Sequence, residues 1–340
     1  MLIGIIFVII FLSILILVHE LGHFLAAKKF GLLVEEFGFG LPPKIFAKKI
    51  GETDYSINAL PFGGFVKIFG ENREENASIS PERNFSNLKI WKRAIVLAAG
   101  VGFNFLLGWL AISLVFAIGT PSVVIITEIK KNSPAEEVGL LAGDRIADFT
   151  KVNDFIDFVN SHQGEKIKLK IEREGETLEL EAIPRKNPPI GEGSLGVGLV
   201  DAGLEKQNIF MSFWEGLKTS LNSIKTIFLA IINLIGKAFV GKASFEQVTG
   251  PIGIVKITAQ ASTLGIVYLL QLLALISLNL AVINILPFPA LDGGRLFFLL
   301  IEKIKGSPLD QKFEKITNAV GFAILIFLMI VITIKDIIKL

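Results

Sequence analysis

The apolar residues of this chain are clumped into long runs instead of recurring at helical or strand period. A bilayer-spanning helix needs about 20 mostly apolar residues. That length predicts spans at residues 2–27, 94–118 and 264–286, and a shorter one at 319–334. Pro287 and Pro289 must interrupt the third, because proline lacks an N–H and clashes with the preceding turn. A signal peptide would start basic and end in a small-residue cleavage site. The first run has neither and continues directly into HELGHFLAAKK, so it is expected to remain as a span. A weaker apolar stretch at 225–237, bounded by lysines, reads as an interfacial amphipathic helix, with a second at 210–223 or with the stretch as a fifth span.

Eleven Lys and Arg residues lie between Lys28 and Arg93, and none precedes the first span. Basic loops stay cytoplasmic. The region between spans two and three, and both termini, are then expected on the extracytoplasmic side of a bacterial inner membrane. Composition agrees with a bilayer protein: 51% of residues are hydrophobic and only 19% charged, against roughly a quarter charged in soluble domains. The net charge of +2 comes without a basic stripe, so nucleic acid is not an expected partner.

The segment 121–186 has a different texture. A strand at 123–129 and a short helix at 134–138 precede the sequence GLLAGDRI, and a helix at 154–160 follows. Alternating strands at 166–173 and 177–183 join through Glu174-Gly175-Glu176, a hairpin signal. This order, with NSPAEEVGLLAGDRI, resembles a bacterial PDZ domain, which takes up peptides on an exposed sheet edge. A generic spacer domain is the alternative. The expected organisation is thus 1–120 membrane part, 121–186 PDZ domain, 187–262 linker with interfacial helices, and 263–340 second membrane part.

Cysteine is absent and histidine is limited to His19, His23 and His162, which excludes thiolate metal sites. His19-Glu20-Leu21-Gly22-His23 lies inside the first span. Positions i and i+4 share a helix face, so both imidazoles can reach one zinc ion, and Glu20 can serve as general base to the water that zinc activates. Ionisable groups at membrane depth are costly and mark function. A catalytic zinc needs a third protein ligand. With His162 in the insert, a carboxylate must supply it, and Asp292 in NILPFPALDGGR is the natural candidate. A broken helix is tolerated at that depth only where protein or a wet cavity satisfies it. The alternatives are two structural histidines and a helix cap by Asp292.

HELGH in the first span, the PDZ-like insert and NILPFPALDGGR near the end together resemble a site-2 protease of the regulator-of-sigma-E type, over essentially the whole chain. The resemblance implies a polytopic α-helical membrane protein of four transmembrane helices, with a membrane-associated β-hairpin at about 54–70 and one inserted α+β PDZ domain. It implies zinc held by His19, His23 and Asp292, Glu20 as the catalytic residue, and Asn284 positioning substrate or the developing oxyanion. Gly38-Phe39-Gly40 and Asn58 to Lys67 match the hairpin, whose open edge could hold an unwound substrate. Asn104 matches a polar position of the second span; Val101 stands where relatives often have proline. The implied activity is zinc-dependent hydrolysis within the transmembrane helix of a single-span protein already trimmed by another protease, such as an anti-sigma factor or a remnant signal peptide. A non-catalytic PDZ scaffold and a metal transporter are the competing functions; a transporter would need more polar residues along several spans.

Overall fold

A computed structural model describes residues 2–71, 79–173, 175–189, 191–241 and 249–338. The chain divides into two compact units, Met1–Leu114 with Phe210–Leu340, and Val115–Ile209.

The first unit is built from long apolar helices. Helix α1 (Leu2–Lys29) leads into strands β1 (Val34–Ile50) and β2 (Thr53–Ile68), and α2 (Ile90–Ile118) follows. After the second unit come α5 (Ile209–Phe239), α6 (Pro251–Leu264), α7 (Ile266–Ile285), α8 (Asp292–Lys305) and α9 (Gln311–Ile338). Among the described residues five helices, α1, α2, α5, α7 and α9, are long and apolar enough to cross a membrane. The sequence expectation was four. The difference lies in α5: the two short stretches at 210–223 and 225–237 form one continuous helix of 31 residues, because the polar residues between them do not break the helical turn. The last helix also begins eight residues earlier than expected, at Gln311.

Phe11 and Leu15 of α1 pack with Ala261 of α6 and with Leu269 and Leu273 of α7. A second cluster joins Ala27 with Val34, Ile68, Val96, Leu97 and Leu299. That cluster seats the β-ribbon against α1, α2 and α8. Close helix approach depends on glycine: a Cβ on Gly22 would lie 2.5 Å from the Ala99 carbonyl oxygen, and one on Gly108 would lie 2.7 Å from the Leu278 side chain.

The ribbon is longer than the hairpin expected at 54–70. It starts at Val34 and turns at Gly51 and Glu52. Its register doubles back, so Phe37 pairs with both Tyr55 and Val66, and Phe39 with both Ile57 and Gly64. Pro61 and Gly63-Gly64 therefore bend the strand round instead of ending it. Residues 36–39 become central, and 64–68 form a flank.

The second unit has a five-stranded antiparallel sheet in the order β6-β5-β4-β3-β7. Its elements are β3 (Thr120–Ile129), α3 (Pro134–Glu137), β4 (Arg145–Ile146), α4 (Val152–Ser161), β5 (Ile167–Arg173), β6 (Glu176–Ala182) and β7 (Val197–Leu204). Strand β7 lies beyond the expected boundary at 186 and pairs along β3, so the unit reaches Ile209. Glycines and a half-exposed pattern hide β7 in the sequence. Phe155 and Val159 of α4 close the core over Val124, Ile126, Leu169 and Ile171.

Candidate metal centre and active site

The C-terminal half of α1 carries His19 and His23 on one face, four residues apart, with their rings edge to face at 4.8 Å between centroids. Helix α2 crosses that face through Gly100, where a Cβ would lie 2.3 Å from His23 Nε2 and 2.7 Å from His19 Cε1. Only hydrogen fits there. The same close approach lets His23 Nδ1 donate to the Val96 carbonyl at 2.8 Å. That bond fixes the tautomer and leaves Nε2 bare. One turn along α2, the Asn104 side chain lies 3.1 Å from His19 Nδ1, and the Asn104 carbonyl accepts from Ser277 Oγ of α7 at 2.7 Å.

The third member arrives through a loop. Helix α7 ends at Ile285, with Leu286 extended before Pro287, as a residue preceding proline prefers. The chain then passes Ala290 at φ +74 and re-enters a helix at Asp292. Gly293 and Gly294 are forced: a Cβ on either would lie within 2.3 Å of a loop carbonyl. Helix α9 clamps the loop from outside, where Asn318 Oδ1 accepts from the Ala290 N–H at 3.1 Å and Gly321 meets the Pro289 carbonyl.

As a result, Asp292 Oδ2 lies 3.1 Å from His19 Nε2 and 3.4 Å from His23 Nε2, and the two Nε2 atoms are 3.2 Å apart. Among the described residues these three form the group able to hold a metal. A tetrahedral zinc with bonds of about 2.0–2.1 Å places its ligands about 3.3–3.4 Å apart. The observed triangle matches that edge length, and Asp292 Oδ2 is buried with no hydrogen-bond partner among the described residues. The donor set fits zinc.

The triangle opens into a cavity of about 240 Å³, lined also by Glu20, Gly64, Glu71 and Arg295. Glu71 and Arg295 form an ion pair. Glu20 makes no hydrogen bond among the described residues and lies against the β2 flank, with its Cγ 3.2 Å from the place of a Cβ on Gly64. Asn284 is half-buried one residue before the end of α7 and does not line this cavity. His162 lies in the other unit, bonded to the Phe158 carbonyl at the end of α4. The roles of Gly100 and Arg295 were not read from the sequence. Gly100 precedes Asn104 by one helical turn, which was its only signal.

Two histidines, a carboxylate and an unpaired glutamate around one small cavity, set among apolar helices, define a membrane metallohydrolase. Residues 7–328 match the profile of peptidase family M50. A Clostridium perfringens protein provisionally named as a zinc metalloprotease is 37% identical, the match covering 98% of each chain. The zinc metalloprotease RasP of Shouchella clausii is 32% identical, over 96% of this chain and 97% of its own. RasP of Bacillus licheniformis is 29% identical, over 95% and 96%. The chain belongs to peptidase family M50, the site-2 proteases, and is an intramembrane zinc metalloprotease.

Proposed function

We propose that this protease cuts a peptide bond within or next to the transmembrane helix of a single-span membrane protein, with zinc on His19, His23 and Asp292 and Glu20 as general base. The observation that carries this is the 3.1–3.4 Å donor triangle sharing one cavity with Glu20. Bound by these three residues, zinc would supply a Lewis acid for the scissile carbonyl and for the attacking water. Glu20 takes the proton of that water and passes it to the leaving amine. Asn284 is assigned to the substrate: a half-buried amide near the end of α7 can hold an unwound backbone once it enters.

A helical peptide bond is shielded by its own hydrogen bonds, so substrate must unwind before attack. The β2 flank at Gly64, Phe65 and Val66 borders the cavity and offers an edge on which an extended segment can pair. Targets shortened by an earlier cut, such as anti-sigma factors or remnant signal peptides, are the substrate class proposed.

The unit Val115–Ile209 is assigned as the PDZ domain. Strand β7 pairs only with β3 among the described residues, and a cavity of about 290 Å³ lies between α4 and the segment Gly193–Leu199. An open edge beside the apolar face of a helix is the arrangement that takes an added peptide strand. With the basic loop inside, this unit and both termini are extracytoplasmic in a bacterial inner membrane. Connectivity bears on α5. Helices α1 and α7 both bring their C-terminal ends to the site, so they cross in the same direction, and α2 opposes them. Between α2 and α7 the number of crossings must be even. Helix α5 crossing alone would break that parity, so α5 lies along the extracytoplasmic interface and four helices span. Its contacts with α2, Trp109 Nε1 donating to the Phe213 carbonyl and Gly216 against Ser113, are in the half of α2 farther from the histidines.

The test is cleavage of a model single-span substrate in liposomes by wild type and Glu20→Gln, with zinc content measured for both. Equal zinc with cleavage by wild type alone is the expected result. Zinc with cleavage by both would remove Glu20 from the mechanism, and zinc with cleavage by neither, across trimmed substrates, would favour a scaffold.

A further inference from the structure

Each zinc-ligating histidine must present a bare Nε2, so in each ring the proton must sit on Nδ1. For His23 the Val96 carbonyl can only accept, and the choice is settled. For His19 the partner is an amide, which can face the ring with either end. The atom placed 3.1 Å from His19 Nδ1 is Asn104 Nδ2, while Asn104 Oδ1 is buried without a partner among the described residues. Asn104 itself is 1% exposed, so solvent does not compete for its contact with His19. If Nδ2 donates to Nδ1, a neutral His19 must carry its proton on Nε2, the atom facing Asp292 and His23. That tautomer cannot ligate. Turning the amide by 180° exchanges its two ends with almost no change of shape. Oδ1 then accepts the Nδ1–H of His19, Nδ2 takes the buried place that Oδ1 held, and Nε2 is freed for the metal.

We propose that Asn104 is a positioning residue for the metal site, whose side-chain oxygen accepts the Nδ1–H of His19 and so selects the zinc-binding tautomer. The proposal rests on the zinc assignment above. Its site geometry is supported from behind: Ser277 Oγ of α7 donates to the Asn104 carbonyl at 2.7 Å, and Gly100 opens the space one turn earlier. Helix α2 thus serves one histidine through a backbone carbonyl and the other through a side chain. Only the second can be removed by substitution.

The experiment measures zinc affinity of the full-length protein in detergent, by chelator competition, for wild type, Asn104→Ala, Asn104→Leu and Asn104→Asp. Cobalt absorption spectra and thermal midpoints accompany each variant. Loss of an outer hydrogen bond to a ligand histidine costs about 10–100-fold in metal affinity. Asn104→Ala and Asn104→Leu are expected to weaken zinc by that factor while the midpoint of the metal-free protein stays put. Asn104→Asp can accept but not donate, and is expected to hold zinc within about threefold of wild type and keep the four-coordinate cobalt spectrum. Wild-type affinity in Asn104→Ala, or an Asp variant as weak as the Ala variant, would overturn the proposal. Failure of the wild type to bind zinc would instead strike the metal assignment itself, and Glu20→Gln, which keeps all three ligands, would share it.

Discussion

Nδ1 of His23 donates to the carbonyl oxygen of Val96 at 2.8 Å. This bond links the helix that bears His19 and His23 to the helix that packs behind them. It can form because Gly22 and Gly100 let α1 and α2 touch through backbone. Gly100→Ala is therefore expected to displace both imidazoles. Its Cβ would have to sit 2.3 Å from His23 Nε2, and overpacking of this kind costs about 1–3 kcal/mol. Zinc content of purified Gly100→Ala should fall to a minor fraction of wild type, with helical circular dichroism unchanged. Full zinc occupancy would show that the two helices can part without cost.

The β2 flank can be separated from metal binding. A Cβ on Gly64 would meet Ile16 at 2.8 Å and Glu20 Cγ at 3.2 Å. Gly64→Val should bind zinc normally yet lose at least about tenfold in kcat, since a 1 Å misplacement of a catalytic group can cost about 100-fold. Single-turnover cleavage beside zinc analysis checks this.

Arg93 of α2 and Glu302 of α8 form an ion pair at 2.7 Å, both nearly buried. Removing one partner leaves the other charge stranded, at about 3–5 kcal/mol. Glu302→Ala should lower the thermal midpoint strongly, and Arg93→Met with Glu302→Leu should recover much of the loss. Thermal unfolding in detergent distinguishes the two.

The unit Val115–Ile209 should be acid-sensitive through Asp144. Burial alone would raise this carboxyl, but the Arg173 guanidinium and the Leu141 N–H hold it below the usual carboxylate range. Arg173 reaches both carboxylate oxygens at 2.7 Å. A carboxyl depressed in the folded state contributes stability above its unfolded value of about 3.9 and loses it as pH falls through the folded value. Amide exchange in β4 and β5, relative to the intrinsic rate at each pH, should therefore accelerate from pH 5 to pH 3 in wild type. In Asp144→Asn it should be faster throughout and less dependent on pH.

The grouping of His19 and His23 was legible in the sequence because its logic is local. A four-residue histidine spacing is a helix face, and the absence of cysteine left a carboxylate as the remaining donor type. What the sequence hid was set by tertiary contact. Gly100 reads as one more small residue in an apolar helix until His23 is seen against it. Strand β7, half-exposed and glycine-bearing, has no clean alternation, and its partner β3 lies about seventy residues upstream. The ribbon's folding back at Phe37 depends on bends at Pro61 and Gly63-Gly64, which in sequence look like strand ends. Helix α5 looked like two short pieces because its polar residues fall in the middle of a continuous helix.

The measurement that tests the central claim most directly is X-ray absorption at the zinc edge of the purified full-length protein, compared with His19→Ala, His23→Ala and Asp292→Ala. The account predicts one zinc per chain with two imidazole nitrogens and a carboxylate oxygen at about 2.0–2.1 Å, and its loss in each variant. Zinc retained in all three variants with an unchanged spectrum would place the metal elsewhere and contradict the account.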